Sequence, residues 1–218
     1  MAMQAPQLFE RPAELKVPGP FETRGRLILA SNSPRRRIFL NDLGLSFAVR
    51  PAELEESPGP AESPYDFVLR LAHEKAQTIA NSDPDAWVLG ADTTVVLAGT
   101  IMGKPRDPED AEQMLRTLAG KVHEVITGYC VCRARDSMLA QRAVKSMVGF
   151  ASLSEEAIRA YVRTGESLDK AGGYAIQGQG GFLVAQIQGS YSNVVGLPLA
   201  EVVADLVKLG AIRPRLSV

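Results

Sequence analysis

The residues Ser31-Asn32-Ser33-Pro34-Arg35-Arg36 form the segment of this sequence with the clearest potential for chemistry. They lie between an apolar run and a helical pattern, so they mark a helix start, where free backbone N–H groups and the helix dipole attract anions. Ser33 is a suitable N-cap and Pro34 suits the first helical position. Two consecutive arginines would complete an anion cradle. The alternative is a capped surface helix with solvated arginines.

Carboxylates and a lysine elsewhere suit a metal-bound phosphate. Asp92 directly follows an apolar strand, which predicts that its carboxylate lies at a strand end, where α/β proteins bind ligands. Lys104 follows after a connection of hairpin length. An acidic loop with Glu53, Glu55 and Glu56 offers oxygen ligands for a hard cation. A salt bridge at a sheet edge and a solvated acidic run are the alternatives.

The segment Asp169–Gly178 is too rich in glycine for regular secondary structure. This indicates backbone packed closely against a ligand or another strand, or simply a set of turns. His73 and His123 have no partner motif and are predicted to be structural or solvated. Cys130 and Cys132 alternate on a predicted strand and should pack as small hydrophobic residues. Neither a P-loop nor a dinucleotide-binding glycine fingerprint is present.

The elements that must position these residues predict a mixed α/β fold. Strands are predicted at 27–30, 47–51, 87–91, 94–97, 122–133 and 144–151, and helices after Ser33, Pro64, Asp107, Ser154 and Pro198. Residues 1–25 contain four prolines and no sustained periodicity, which predicts a flexible N-terminal extension. Residues 26–218 are expected to form a single domain.

Composition excludes several classes of function. The 218 residues are 45% hydrophobic and carry a net charge of −1, which argues against a stable nucleic-acid complex and against an RNA-binding module. The sequence has neither an apolar run long enough to span a membrane nor a secretory signal pattern. We therefore expect a cytoplasmic globular protein, and any anionic ligand should be small.

Four motifs in order resemble the Maf family of nucleotide pyrophosphatases. They are Ser-x-Ser-Pro-Arg-Arg from Ser31, Gly-Ala-Asp-Thr at 90–93, Lys104-Pro105, and Asp-Lys-Ala-Gly-x-Tyr-x-Ile-Gln from Asp169. Order and spacing match from about residue 27 to 202, which is more specific than any single motif. The resemblance implies a mixed twisted sheet with flanking helices and a central cleft, related to inosine triphosphate pyrophosphatases. It also allows a homodimer.

The resemblance further implies hydrolysis of nucleoside triphosphates, dTTP and UTP above all, to monophosphate and pyrophosphate with Mg²⁺ or Mn²⁺, including removal of non-standard nucleotides. Asp92 would be the proton acceptor and would share the metal with Glu56. The substrate-binding residues would be Ser31, Ser33, Arg35, Arg36, Lys75, Thr93, Lys104 and Gln177. Among these, Arg35, Thr93 and Gln177 match positions associated with substrate choice.

Some features depart from the family pattern or leave other functions open. Ala175 stands where glycine is common, Phe39 stands where leucine is common, and residues 1–25 have no counterpart that we can place. The alternatives are a 7-methyl-GTP pyrophosphatase and a nucleotide-sensing regulator of cell division without significant turnover.

Overall fold

The computed structural model of this chain describes residues 18–216. Its strands are β1 Phe21–Thr23, β2 Leu27–Leu29, β3 Ala48–Val49, β4 Trp87–Leu97, β5 Thr100–Met102, β6 Val122–Arg133, β7 Met138–Phe150, β8 Val184–Gln188 and β9 Ile212–Pro214. Its helices are α1 Pro34–Asp42, α2 Pro64–Ser82, α3 Pro108–Leu118, α4 Glu155–Val162, α5 Tyr191–Val195 and α6 Leu199–Lys208. Within the described residues, no helix is both long and apolar enough to cross a membrane.

Seven strands form one mixed sheet in the order β3-β2-β4-β6-β7-β8, with β5 also paired to β4. The strands β2, β3 and β4 are parallel, whereas β4, β6, β7 and β8 are antiparallel neighbours. Helices pack on both faces, because alternate residues of the buried strands point to opposite sides. Leu27 and Leu29 of β2 join the core around α1 and α6, while Ile28 joins the core under α2. The predicted mixed α/β fold is confirmed.

Capping side chains fix the first residue of three helices. The hydroxyls of Ser63 and Ser154 accept hydrogen bonds from the backbone N–H groups of Asp66 and Ala157. The carboxylate of Asp107 likewise accepts from the N–H of Asp110. These bonds satisfy N–H groups that lack partners in the first helical turn. The predicted starts of α2, α3 and α4 are therefore confirmed.

Helix α2 lies unusually close to the sheet because two glycines face it. A Cβ on Gly90 of β4 would lie 2.3 Å from the carbonyl oxygen of Ala72, and a Cβ on Gly128 of β6 would lie 2.4 Å from that of Val68. No side chain could stand at either position without moving the helix. The short separation brings Lys75, on the same helix, down to the level of the sheet.

Two sequence predictions differ from the structure. Asp92 does not end a strand: β4 continues from Trp87 to Leu97, because β6 pairs with it along almost its whole length. Part of the predicted extension is also regular, since Phe21–Thr23 pairs with Ile212–Pro214 and Phe21 packs against the core. That pairing joins the two ends of the described chain, which local periodicity does not register. Residues 1–17 lie outside the described residues.

Replacing Gly90 with alanine should lower the free energy of unfolding by about 1–3 kcal/mol or more, since the added Cβ would overlap the backbone of α2. Gly149→Ala is the matched control in a strand, because its Cβ would meet no atom closer than 3.6 Å. Urea denaturation of both variants measures the difference. Equal, small losses in the two variants would show that α2 has room to move.

Candidate active site

The cleft opens at a gap in one edge of β4. On this edge β2 pairs with residues 87–89 and β5 pairs with residues 95–97, while β6 occupies the other edge. Residues 90–94 therefore face an opening between two strands. Asp92 and Thr93 both line the cleft. Because successive strand residues point in opposite directions, the cleft reaches both faces of β4 at this opening.

This cleft has a volume of about 730 Å³ and is lined by every residue to which the family resemblance assigned a role in the site. These residues are Ser31, Ser33, Arg35, Arg36, Glu56, Lys75, Asp92, Thr93, Lys104 and Gln177. They come from the turn after β2, the first turn of α1, the acidic loop, α2, β4, the segment after β5 and the glycine-rich segment. The fold thus brings together residues from distant parts of the sequence in a space of the size that small-molecule ligands occupy.

One wall of the cleft carries paired opposite charges. The buried ammonium of Lys75 lies 2.5 Å from Glu56 Oε1 and 2.7 Å from Asp92 Oδ1. The exposed ammonium of Lys104 lies 3.2 Å from Glu56 Oε2. Burial of Glu56 opposes its ionisation, but the hydrogen bond and charge of Lys75, helped by Lys104, outweigh it and lower the pKa of the carboxyl. Both carboxylates are thus held at the cleft by cations.

The structure separates the three acidic candidates of the loop. Glu56 lines the cleft and contacts two lysines, whereas Glu53 and Glu55 are not among the described residues that line it. Across residues 18–216, no three His, Cys, Asp or Glu side chains cluster closely enough to hold a metal by themselves. Any metal in the cleft would therefore need further ligands from solvent or substrate.

The opposite wall is cationic. The Arg36 guanidinium is buried and donates from Nε to the Gly196 carbonyl oxygen at 2.7 Å, from Nη1 to Ser31 Oγ at 2.8 Å and from Nη2 to Thr93 Oγ1 at 3.0 Å. All three acceptors are neutral, and among residues 18–216 no carboxylate lies within ion-pair distance of Arg36. Burial lowers its pKa, the nearby Asp92 raises it and Arg35 lowers it further. A buried cation without an anionic partner favours an anionic ligand.

The turn that precedes α1 supports this wall. Ser33 occupies the N-cap position, yet its side chain makes no capping hydrogen bond; instead its backbone N–H donates to Ser31 Oγ at 3.3 Å. Arg35 is half-buried and donates from Nε to the Val195 carbonyl oxygen at 3.3 Å. Both arginines are thus tied to the C-terminal end of α5, Arg35 to its last residue and Arg36 to the residue after it, and the start of α1 lines the cleft.

The glycine-rich segment presents Gln177 at the rim. Two anchors hold it: the backbone N–H of Ala175 donates to Tyr161 Oη at 3.0 Å, and Glu166 Oε2 accepts from the N–H of Gly180 at 2.9 Å. These contacts lie on either side of Gln177 in the chain. The predicted close backbone packing is present, because Gly180 lies so near Tyr161 that a Cβ there would stand 2.8 Å from the phenol oxygen.

Sequence reasoning did not assign roles to four residues of this region. Asp169 and Lys170 line the cleft and pair with each other; they belong to the motif Asp-Lys-Ala-Gly, whose first two positions could have pointed to them. Thr127 and Asn193 are fully buried behind Thr93. A threonine within an apolar strand was the only signal for Thr127, and the short helix α5 that carries Asn193 was not predicted.

Comparisons with known proteins point to the family that the sequence motifs resemble. A family model described as Maf-like protein matches residues 26–209. A protein of Geobacter sulfurreducens named dTTP/UTP pyrophosphatase is 53% identical over 190 residues, which cover 87% of this chain and 99% of that protein. One of Anaeromyxobacter dehalogenans strain 2CP-C with the same name is 54% identical over 187 residues, covering 85% and 94%. One of Myxococcus xanthus is 50% identical over 184 residues, covering 84% and 92%.

Among solved structures, that of the Staphylococcus aureus Ham1 protein superposes with a TM-score of 0.48 and 15% sequence identity. The superposition covers 84% of this chain and 99% of the other.

A buried histidine beneath the glycine-rich segment makes stability depend on pH. His123 is bonded through Nε2 to Tyr174 Oη at 2.7 Å, and burial lowers its pKa to about 4 from 6.5. Between these two pH values the unfolded chain binds more protons at position 123 than the folded chain does. The contribution of His123 to the free energy of unfolding is therefore fully present above pH 6.5 and is lost as the pH drops.

The His123→Gln variant keeps a polar partner for Tyr174 but cannot titrate. We expect wild type to lose about 2 kcal/mol more stability than this variant between pH 7 and pH 5, at about 1.4 kcal/mol per unit below pH 6.5. Urea denaturation at the two pH values measures this difference. Parallel pH profiles for the two proteins would mean that folding does not lower the pKa of His123.

Proposed function

The chain belongs to the Maf family, and from this membership and the geometry of the cleft we propose that it hydrolyses dTTP and UTP to the monophosphate and pyrophosphate. The observation that carries the proposal is that predicted phosphate-binding cations and a pair of carboxylates line one cleft. The relatives named dTTP/UTP pyrophosphatase, about half identical over nearly their whole length, support this choice of reaction and substrate.

The cationic side chains would neutralise the substrate. A triphosphate resists attack because its negative oxygens repel a nucleophile, so catalysis must offset this charge and align water with the leaving group. Arg35 and Lys104 reach the cleft from opposite ends of the β4 opening, and buried Arg36 adds a fixed positive charge. Lys75 would move less, since two carboxylates hold its ammonium.

Asp92 is the residue placed to accept a proton. Its carboxylate is buried at the gap in β4 and receives one hydrogen bond, from Lys75 Nζ to Oδ1. In the proposed reaction a water molecule transfers a proton to Asp92 while its oxygen bonds to the α-phosphorus. The bond from this phosphorus to the bridging oxygen breaks, and pyrophosphate leaves with the electron pair. Proton transfer to a positioned carboxylate typically contributes a factor of about 10² to 10⁴.

Glu56 and Asp92 would hold a divalent cation such as Mg²⁺ or Mn²⁺. The donor set fits, because Mg²⁺ is usually bound through one or two carboxylates together with water and substrate phosphate oxygens. The two carboxylates already hold the ammonium of Lys75 through Glu56 Oε1 and Asp92 Oδ1, which supports an affinity of this pair for cations. When bound, such an ion would supply further neutralisation of the phosphate charge.

Substrate choice would rest on Gln177 with Thr93 and Arg35. The Gln177 amide both donates and accepts hydrogen bonds, which suits the adjacent carbonyl and N–H on the pairing edge of uracil and thymine. A purine such as 7-methylguanine presents a different hydrogen-bonding edge and a larger ring system.

A cytoplasmic location, a homodimer and a role in removing non-standard nucleotides stay predictions from the sequence.

Asp92→Asn should reduce turnover of dTTP by at least about a hundredfold, because the amide cannot take the proton. Chromatography of the products from dTTP, UTP, CTP and 7-methyl-GTP, with Mg²⁺ or Mn²⁺ present, measures turnover and substrate choice together. Asp85→Asn is the matched control: Asp85 pairs with Arg135 at 3.0 Å outside the cleft, so this variant should keep wild-type rates.

Four results would contradict the proposal in different ways. Near wild-type turnover by a folded Asp92→Asn variant would remove Asp92 from the chemistry. Release of orthophosphate would reject pyrophosphate as the leaving group, and a preference for 7-methyl-GTP would reject the substrate. Binding of nucleotides by wild type without any turnover would favour the sensing role.

Glu56→Gln should weaken Mn²⁺ binding by at least about tenfold, since loss of one supporting group alone commonly costs that much. Electron paramagnetic resonance of free Mn²⁺, in the presence of a non-hydrolysable α,β-imido dUTP, measures binding apart from activity. Glu55→Gln, a neighbour in the same loop that is not among the described cleft residues, is the control and should bind as wild type does. Equal affinity in both variants would exclude Glu56 as a metal ligand.

A further inference from the structure

A chain of hydrogen bonds runs from the cleft wall into the core behind it. Arg36 Nη2 donates to Thr93 Oγ1 at 3.0 Å, Thr93 Oγ1 lies 2.9 Å from Thr127 Oγ1, and Thr127 Oγ1 donates to the backbone carbonyl oxygen of Asn193 at 2.9 Å. Thr93 and Thr127 stand directly opposite each other on β4 and β6. The two hydroxyls thus lie on the same face of the sheet, between a guanidinium and a carbonyl.

The groups at the two ends fix the direction of every hydrogen bond between them. A carbonyl oxygen has no proton, so the short contact between Asn193 and Thr127 requires the proton of the Thr127 hydroxyl. That proton is then unavailable to the contact between the two threonines, which must use the proton of Thr93. A guanidinium only donates, so Arg36 supplies the remaining proton to Thr93. Any other arrangement would leave two oxygens 2.9 Å apart with no proton between them.

We infer that Thr127 and Asn193 make Thr93 an obligate hydrogen-bond acceptor, so that Thr93 recognises a donor on the nucleoside part of the substrate. This rests on the proposed binding of a nucleotide in the cleft. Phosphate oxygens that lack protons cannot donate to Thr93, which excludes Thr93 as a phosphate ligand. The donors that a 4-oxo pyrimidine nucleotide offers are the N3–H of the base and the sugar hydroxyls. Either of them could donate to Thr93 Oγ1.

The far end of the chain is held rigidly. Thr127 and Asn193 are fully buried. The Asn193 side-chain amide donates to the Val125 carbonyl oxygen at 3.1 Å and to Ser146 Oγ at 2.9 Å. The backbone carbonyl oxygen of Asn193 also accepts a hydrogen bond from the backbone N–H of Gly196 at 3.0 Å. The carbonyl oxygen of the same Gly196 accepts from Arg36 Nε. Thr127 is therefore a positioning residue: it acts on the substrate only through the orientation of the Thr93 hydroxyl.

Thr127→Val tests the inference, because valine keeps the shape of threonine and removes the acceptor for the Thr93 proton. The Thr93 hydroxyl could then turn and donate into the cleft. Thr127→Ser restores the hydroxyl and should restore wild-type behaviour. Calorimetry measures the affinities of three non-hydrolysable α,β-methylene triphosphates, those of uridine, N3-methyluridine and 3′-deoxyuridine, with Mg²⁺ present. N3-methylation removes the base donor, and the 3′-deoxy sugar removes a hydroxyl donor.

Wild type and Thr127→Ser should bind one of the two analogues at least about fivefold more weakly than the uridine compound, since the Thr93 acceptor loses its donor. That discrimination should shrink severalfold in Thr127→Val. Any steric penalty of the N3-methyl group is the same in wild type and in both Thr127 variants, so it does not affect the comparison between them. The identity of the disfavoured analogue decides between the base N3–H and the sugar hydroxyl.

Equal discrimination in folded Thr127→Val and wild type would overturn the inference, as would an absence of discrimination in wild type. These outcomes are independent of turnover. Hydrolysis of dTTP without the expected binding pattern would reject this inference alone, whereas the binding pattern without hydrolysis would reject the proposed reaction alone. Failure of all three compounds to bind would reject both.

Discussion

The buried ammonium of Lys75, held between Glu56 and Asp92, is the interaction on which the cleft depends. An ammonium removed from water costs several kcal/mol unless anionic partners offset it. The partners come from two separate parts of the fold, the acidic loop and β4, while the lysine comes from α2. Gly90 and Gly128 allow this helix to approach closely enough for the three groups to meet. One ion-pair cluster thus ties loop, sheet and helix together at the gap in β4.

The two walls of the cleft differ in how their charges are compensated. Around Lys75 each charge has an opposite partner, so the wall is close to neutral before a ligand binds. Around Arg36 the guanidinium is held by neutral oxygens of Ser31, Thr93 and Gly196. Its direction is fixed, while no carboxylate among the described residues lies within ion-pair distance of it. A polyphosphate with its cation would satisfy both walls, since it brings negative charge to the arginines and positive charge to the carboxylates.

Much of the site could be predicted from the sequence because its signals are local. The turn from Ser31 to Arg36 follows a buried strand and starts a helix, and capping residues mark α2, α3 and α4 in the same way. Local sequence does not determine which of Glu53, Glu55 and Glu56 lines the cleft, because this depends on where Lys75 of α2 lies. The extent of β4 beyond Asp92 depends on pairing with β6, and β1 depends on a partner at the other end of the chain.

The hydrogen-bond chain behind Thr93 was the least predictable part of the site. Thr127 and its acceptor on Asn193 are 66 residues apart, and their contact depends on α5 packing against β6 and β7. A threonine in a strand and an asparagine in a five-residue helix carry little periodic signal. Their importance appears only when the polarity of each hydrogen bond is followed from Arg36 inward.

In the proposed reaction water attacks the α-phosphorus in a cleft where Asp92 accepts the proton. Hydrolysis of dTTP in water enriched in ¹⁸O, followed by mass spectrometry of both products, identifies the phosphorus that water attacks. Attack on the α-phosphorus should place one labelled oxygen in the nucleoside monophosphate and none in pyrophosphate. Label in the pyrophosphate would show attack on the β-phosphorus and would rule out the proposed reaction.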